Sequence, residues 1–176
     1  MTPDTHVDAE TALGHAAPGH KDDLRLWLRM LSCARLIEAE IRRRLRTRFD
    51  TTLPRFDFLA QLERAPDGLT PGDISRRMMV TGGNVTGLAA RLEEEGLIER
   101  RAVREDRRAV TLRLTPQGRR EFARQSAAHE EWVAELLGGL SATDRAALLR
   151  LLDRTRRGVR AAISAHGSAN GSEETP

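Results

Sequence analysis

From Asp22 to about Arg48, apolar residues recur at steps of three and four: Leu24, Trp27, Leu28, Leu31, Ala34, Ile37, Ile41 and Leu45, with charge opposite them. That is the period of an amphipathic helix. Asp22 and Asp23 stand in its first turn and arginines crowd its end from Arg42 to Arg48, both placements that the helix dipole favours. A helix of about 26 residues spans roughly 40 Å. A domain of this size has no use for such a rod alone, so a partner is expected.

Three shorter helices are predicted next. Pro54 suits the first turn of one carrying Phe56, Leu59 and Leu62 and ending near Pro66-Asp67-Gly68. Thr70-Pro71-Gly72-Asp73 opens the second, which carries Ile74 and Met78, with Thr as cap, Pro at the first position and Asp in the first turn. Thr81 is expected to cap the third, whose inner face is Val85, Leu88, Ala89 and Leu92 and whose stop is Gly96. Two extended runs follow, Leu97 to Val103 and Ala109 to Leu114. Val110, Leu112 and Leu114 alternate with Thr111 and Arg113, so the pair reads as a hairpin with a charged tip. Thr115-Pro116 then opens a long helix through Phe122, Trp132 and Leu137 to Gly138-Gly139. Ser141 with Asp144 resembles a capping box for a last helix bearing Leu148, Leu149, Leu151, Leu152, Val159 and Ile163.

The predicted fold class is mainly α with a small β-hairpin, a winged helix-turn-helix flanked by long helices. Five segments are expected: a flexible arm over 1–20, a dimerisation helix over 21–49, a DNA-binding domain over 50–114, dimerisation helices over 115–165 and a disordered tail over 166–176.

Composition narrows the function. No apolar run approaches the roughly 18 residues of a membrane span, and no secretory signal is evident, so a cytoplasmic protein is expected. The formal charge is +3 and the pI about 10.2, because nearly every basic residue is Arg and Lys21 is the sole lysine. Arg binds phosphate and guanine through a planar fork of donors. Cys33 is the single cysteine, which rules out an intrachain disulfide. With no His-Glu-x-x-His pair, phosphate loop or nucleophile elbow, neither enzymatic activity nor a resident metal or cofactor is expected.

A helix that enters a major groove about 12 Å wide needs a small, polar outer face. The helix from Thr81 has one: with Val85, Leu88 and Leu92 inward, Gly82, Gly83, Asn84, Thr86, Gly87 and Ala90 point outward. Its N-terminus offers amides to a phosphate, and Gly82 and Gly83 allow close approach. At the hairpin tip, Arg104, Arg107 and Arg108 accompany Glu105 and Asp106. Such a run is either a solvated charge cluster or a wing that lays an Arg in the minor groove.

The stretches Thr81-Gly82-Gly83-Asn84-Val85-Thr86-Gly87-Leu88, Arg91-Leu92-Glu93-x-x-Gly96-Leu97-Ile98 and Asp106-Arg107-Arg108-Ala109-Val110 through Leu114-Thr115-Pro116-x-Gly118 resemble the MarR family of winged-helix regulators. The likeness is strong over about Asp50 to Arg120 and topological at the ends. It implies a homodimer whose terminal helices form the interface, whose recognition helices read major grooves of double-stranded DNA and whose wings read flanking minor grooves. By this resemblance Thr81, Asn84 and Thr86 face the groove and Arg108 is the wing arginine. Gly87 departs from the family, many of whose members carry a long polar or basic residue there. That shifts weight to the wing and to DNA shape.

The resemblance also implies a trigger. Members of the family bind phenolic or aromatic-acid ligands between the dimerisation helices and the winged domain, and others sense peroxide through a cysteine in the first helix. Cys33 lies within an apolar segment and reads as buried and inert. Trp27 and Asp57 are the ligand-binding candidates, since members responding to urate or similar anions resemble this chain in a Trp early in the first helix and an Asp in the next. The expected function is a homodimeric repressor released from DNA by a small aromatic or anionic ligand. A redox sensor acting through Cys33 and a winged-helix module that meets protein are the alternatives.

Overall fold

The computed structural model describes residues 20–102 and 110–170. The elements run α1 (His20–Phe49), α2 (Leu53–Glu63), α3 (Pro71–Met78), α4 (Gly82–Glu94), β1 (Ile98–Ala102), β2 (Val110–Leu114), α5 (Pro116–Leu136) and α6 (Ala142–Asn170). The expected arm over 1–20 lies outside the described residues but for His20, and so does the tail from 171. The chain divides into two compact units between Val133 and Ala134.

In the first unit, local chemistry sets the element ends. Asp50 adopts a left-handed φ of 47° and its N–H donates to the Arg46 carbonyl at 3.1 Å, which closes α1. Pro54 sits in the first turn of α2, where its missing N–H costs nothing. Thr70 and Asp73 form a reciprocal capping box on α3: the Asp73 N–H donates to Thr70 Oγ1 at 3.1 Å and the Thr70 N–H to the Asp73 carboxylate at 3.3 Å. Gly96, at φ +70°, ends α4, and the Leu97 N–H reaches back to the Leu92 carbonyl at 2.9 Å.

These ends let the apolar faces of α2, α3, α4 and the hairpin meet. Phe58, Leu59, Leu62, Ile74, Val85, Leu92 and Leu112 are buried together with Ile41 and Leu45 from the end of α1. Each contributes about 1.5–3 kcal/mol by leaving water. The strands pair antiparallel from Ile98 opposite Leu114 to Ala102 opposite Val110. Leu69 adds a bridge to Leu112, with hydrogen bonds of 2.8 and 3.1 Å, which fastens the segment before α3 to the hairpin. Phe56 of α2 packs on Phe122 of α5 at 5.5 Å between ring centroids, and Phe49 on Trp132 at 6.1 Å.

Sequence and structure part company on α1. Its apolar stripe is covered only at its end: Ile41 and Leu45 are buried, whereas Trp27 is 56% exposed. Cys33, expected to be buried, is exposed. The period identifies which face is apolar, but among the described residues that face is fully buried only at Ile41 and Leu45.

In the second unit, Ser141 and Asp144 form the expected box, Asp standing in for Glu: the Asp144 N–H donates to Ser141 Oγ at 3.1 Å and the Ser141 N–H to the carboxylate at 3.2 Å. The helix they open runs to Asn170, so the tail expected to begin at 166 is helical over its first five residues. No proline interrupts this stretch, and backbone bonding carries the helix through Gly167. Leu148, Leu149, Leu151, Leu152, Val159 and Ile163 are all exposed along α6. Among the described residues, no helix is long and apolar enough to cross a membrane.

Candidate nucleic-acid interface

The α3–α4 pair presents a helix whose outer face is bare. Met79 caps α3 in the left-handed region (φ 54°, ψ 41°), turning the chain sharply, and its N–H donates to the Ser75 carbonyl. Ser75 Oγ donates to the Val80 carbonyl at 2.5 Å and the Val80 N–H returns to the Ser75 carbonyl at 3.2 Å, so both sides of the turn are tied to one residue. Val85, Ala89 and Leu92 anchor α4 in the core. Thr81, Gly82, Gly83, Asn84, Thr86 and Gly87 are then left exposed in one continuous patch. A Cβ built on Gly82, Gly83 or Gly87 meets nothing within 4 Å.

Thr81 occupies the N-cap position, but its side chain makes no capping bond. Its backbone carbonyl accepts from Asn84 and Val85 N–H instead, at 3.1 and 3.3 Å. The expected hydroxyl cap is therefore corrected: the amides of Gly82 and Gly83 stay at the open end of the helix, where the dipole is positive. Gly83, Asn84, Leu88 and Arg91 of α4 line a groove of about 390 Å³ together with Pro54 and Met78.

Arg104, Arg107 and Arg108 lie outside the described residues. The strand below them is basic too, at positions the sequence reading passed over. Arg100 reaches Glu93 of α4 at 2.7 Å and Arg101 pairs with Glu99 at 2.6 Å, all partly exposed. Strand alternation, which puts Arg100 and Arg101 on opposite faces, was the available signal. Arg55 of α2 forms a two-pronged ion pair with Glu95, the C-cap of α4, and this contact holds the Arg55 guanidinium above and the Glu95 carboxyl below their ordinary pKa values. It fastens α4 from behind.

The two ligand candidates lie on different helices, Trp27 exposed on α1 and Asp57 on α2. Asp57 is half-buried on α2, and burial pushes its carboxyl up, with His129, Glu38 and Arg42 as its charged surroundings. Trp27 lies roughly 16 Å along α1 from Glu38, which is among the charged groups acting on Asp57. Beside Asp57, His129 stacks on Phe56 at 4.8 Å, and burial holds its pKa below the usual value. A cleft of about 550 Å³ opens elsewhere in this unit, lined by Phe49, Asp50, Arg55, Glu95, Arg120 and Gln125 among others. Gln125 is 3% exposed, and its Oε1 has no hydrogen-bond partner among the described residues.

The comparisons agree with this geometry. A family model described as "MarR family" matches residues 49–109. The HTH-type transcriptional regulator PecS of Dickeya dadantii is 32% identical over 104 residues, 58% of this chain. Here, as with another curated relative, the alignment spans 63% of the relative's own length, under two thirds. A MarR family transcriptional regulator from Silicibacter pomeroyi superposes with a TM-score of 0.70 at 31% identity, covering 82% of this chain and 99% of that one. Streptococcus pneumoniae FabT, solved in complex with DNA, superposes with a TM-score of 0.66 at 28% identity, covering 77% of this chain and 96% of FabT.

Proposed function

This chain belongs to the MarR family, and on that premise we propose that it is a DNA-binding transcriptional regulator, a homodimeric repressor that a small aromatic or anionic ligand releases from its operator. The observation that carries the reading is α4, a helix anchored on one face by Val85, Ala89 and Leu92 and bare on the other at Gly82, Gly83 and Gly87. A helix of that shape fits a major groove with its backbone close to the base edges. Residues 50–114 are the DNA-binding domain, with Thr81, Gly82, Gly83, Asn84 and Thr86 in the groove and Arg104, Arg107 and Arg108 at the wing. Residues 21–49 and 115–165 form the dimer arms, supported by the exposed Leu26, Trp27 and Leu36 of α1 and the leucines of α6. Apolar surface on this scale marks a surface that associates. The protein acts in the cytoplasm.

A ligand of some kind draws separate support from a cleft that neither Asp57 nor Trp27 lines, where Gln125 Oε1 is buried with no partner among the described residues and a ligand hydroxyl or N–H would satisfy it. Asp57 and Trp27 remain the proposed contacts for an aromatic group. A redox trigger at Cys33 is the second reading, favoured by the exposure of that side chain.

The test is a binding titration on duplexes enriched from fragmented genomic DNA, with the mass of the complex measured by sedimentation. The expected result is two chains per duplex on a two-fold site whose half-sites lie about one helical turn, roughly 34–36 Å, apart. Affinity falls with salt, and Arg108→Ala weakens it by about 1–3 kcal/mol and lowers the salt slope. Failure to enrich any duplex overturns the reading in favour of a protein-binding module. Aromatic acids that raise the melting temperature should also release the duplex; release by peroxide instead, abolished in Cys33→Ser with DNA binding kept, transfers the trigger to the thiol.

A further inference from the structure

We infer that Thr86 presents its methyl group, rather than its hydroxyl, to the DNA, and that it thereby selects thymine over the other bases. The inference rests on the DNA-binding reading and concerns how the same helix discriminates. Thr86 is exposed on α4, and its Oγ1 donates to the Gly82 carbonyl one turn back, at 3.0 Å. A hydroxyl carries one proton, and this one is committed to the helix backbone. A β-branched side chain is stiff in a helix, so fixing Oγ1 against the preceding turn also fixes the branch taken by Cγ2. The group left to the solvent side as a contact is the methyl, together with a hydroxyl lone pair.

The surroundings leave Thr86 uncovered. Gly82, Gly83 and Gly87 are its helical neighbours one turn back and one residue on, and a Cβ at any of them would stand in open space. No side chain at these positions overhangs Thr86. Thymine is the base that carries a methyl in the major groove, and a threonine methyl is among the apolar groups that contact it. The sequence offers Thr86 as a donor; the bond to Gly82 takes the donor and leaves the methyl and an acceptor lone pair.

The test uses the full chain and a duplex selected from a random-sequence library. Thymines in the enriched site are replaced singly by deoxyuridine, which removes only the C5 methyl. Wild type is expected to lose about fourfold in affinity at the thymine under Thr86, the factor that corresponds to burying one methyl-sized group. Thr86→Ser, which keeps the hydroxyl, should lose the same factor on the thymine duplex and nothing further on the deoxyuridine duplex, so that the two changes are not additive. Thr86→Val keeps the methyl and should retain the preference for thymine over deoxyuridine that Thr86→Ser loses. A Val variant without that preference, or deoxyuridine substitutions that change nothing, would overturn the inference while leaving DNA binding in place. A library that yields no enriched duplex overturns both. Melting curves of both variants should match wild type, because the residue is exposed.

Discussion

Replacing Gly118 by alanine should destabilise the protein, although the change normally strengthens a helix. Gly118 is buried in the first turn of α5, and a Cβ there would stand 1.9 Å from the Leu97 carbonyl oxygen and 2.9 Å from its carbon. These are backbone atoms and cannot swing aside. The same carbonyl accepts from the Thr115 N–H at 3.0 Å, while Thr115 Oγ1 donates to the Gly96 carbonyl at 2.6 Å. Relief of the overlap demands a shift of more than about 1 Å between α5 and the start of the hairpin, beyond what either bond tolerates. Overpacking costs about 1–3 kcal/mol, and two lost hydrogen bonds cost about 1 kcal/mol each. The helix gains about 1 kcal/mol from alanine. The net loss is about 2–4 kcal/mol, read as a lower urea midpoint by circular dichroism at fixed protein concentration. Gly87→Ala is the control, because a Cβ there meets nothing within 4 Å. It should raise stability by about 1 kcal/mol. Midpoints that move in the same direction for both variants would refute the reasoning.

Two further outcomes test local claims. Burial depresses the His129 pKa, so as pH falls through about 6.5 the unfolded chain takes up a proton before the folded one, and stability drops on the acid side of neutrality. Asp57 has the opposite sign: burial raises its pKa, so the folded state gains its proton first and recovers stability at lower pH still. His129→Gln should therefore flatten the fall in melting temperature between about pH 7.5 and 5.5, and an unchanged slope would remove His129 from that account. Thr70→Ala removes both the N-cap acceptor and the partner of Asp73, and should cost about 1 kcal/mol in urea unfolding, with Thr70→Ser restoring it.

Much of the architecture is legible in the residues because its punctuation is local. Thr70-Pro71 with Asp73, Ser141 with Asp144, and Gly96 each act within a few residues, so reading them requires no knowledge of the fold. The alternation of Val110, Leu112 and Leu114 likewise foretold which strand face is buried, with Leu112 and Leu114 in the core. What stayed illegible depends on distance in space. The apolar stripe of α1 announces a buried face, yet Trp27 and Cys33 are exposed among the described residues, because a period identifies a face and not what packs on it. Trp27 and Asp57 were paired by family resemblance alone, and no local signal in the residues says whether two positions on different helices share a site. Gly118 was visible as one letter of a family pattern, whereas its reason, the Leu97 carbonyl, lies across the hairpin. Thr81 looked like a cap by residue type, and it does hold the N-cap position, but its hydroxyl makes no capping bond.

The central claim is that the bare face of α4 enters a DNA groove, and Gly83→Glu tests it most directly. Gly83 stands in the first turn of α4 with open space at its Cβ, where an acidic side chain suits both helix propensity and the dipole. The fold should therefore melt at or above the wild-type temperature. The account predicts that this variant loses binding to the enriched duplex, since bulk and negative charge are then aimed at the groove. Wild-type affinity in a folded Gly83→Glu protein would contradict it.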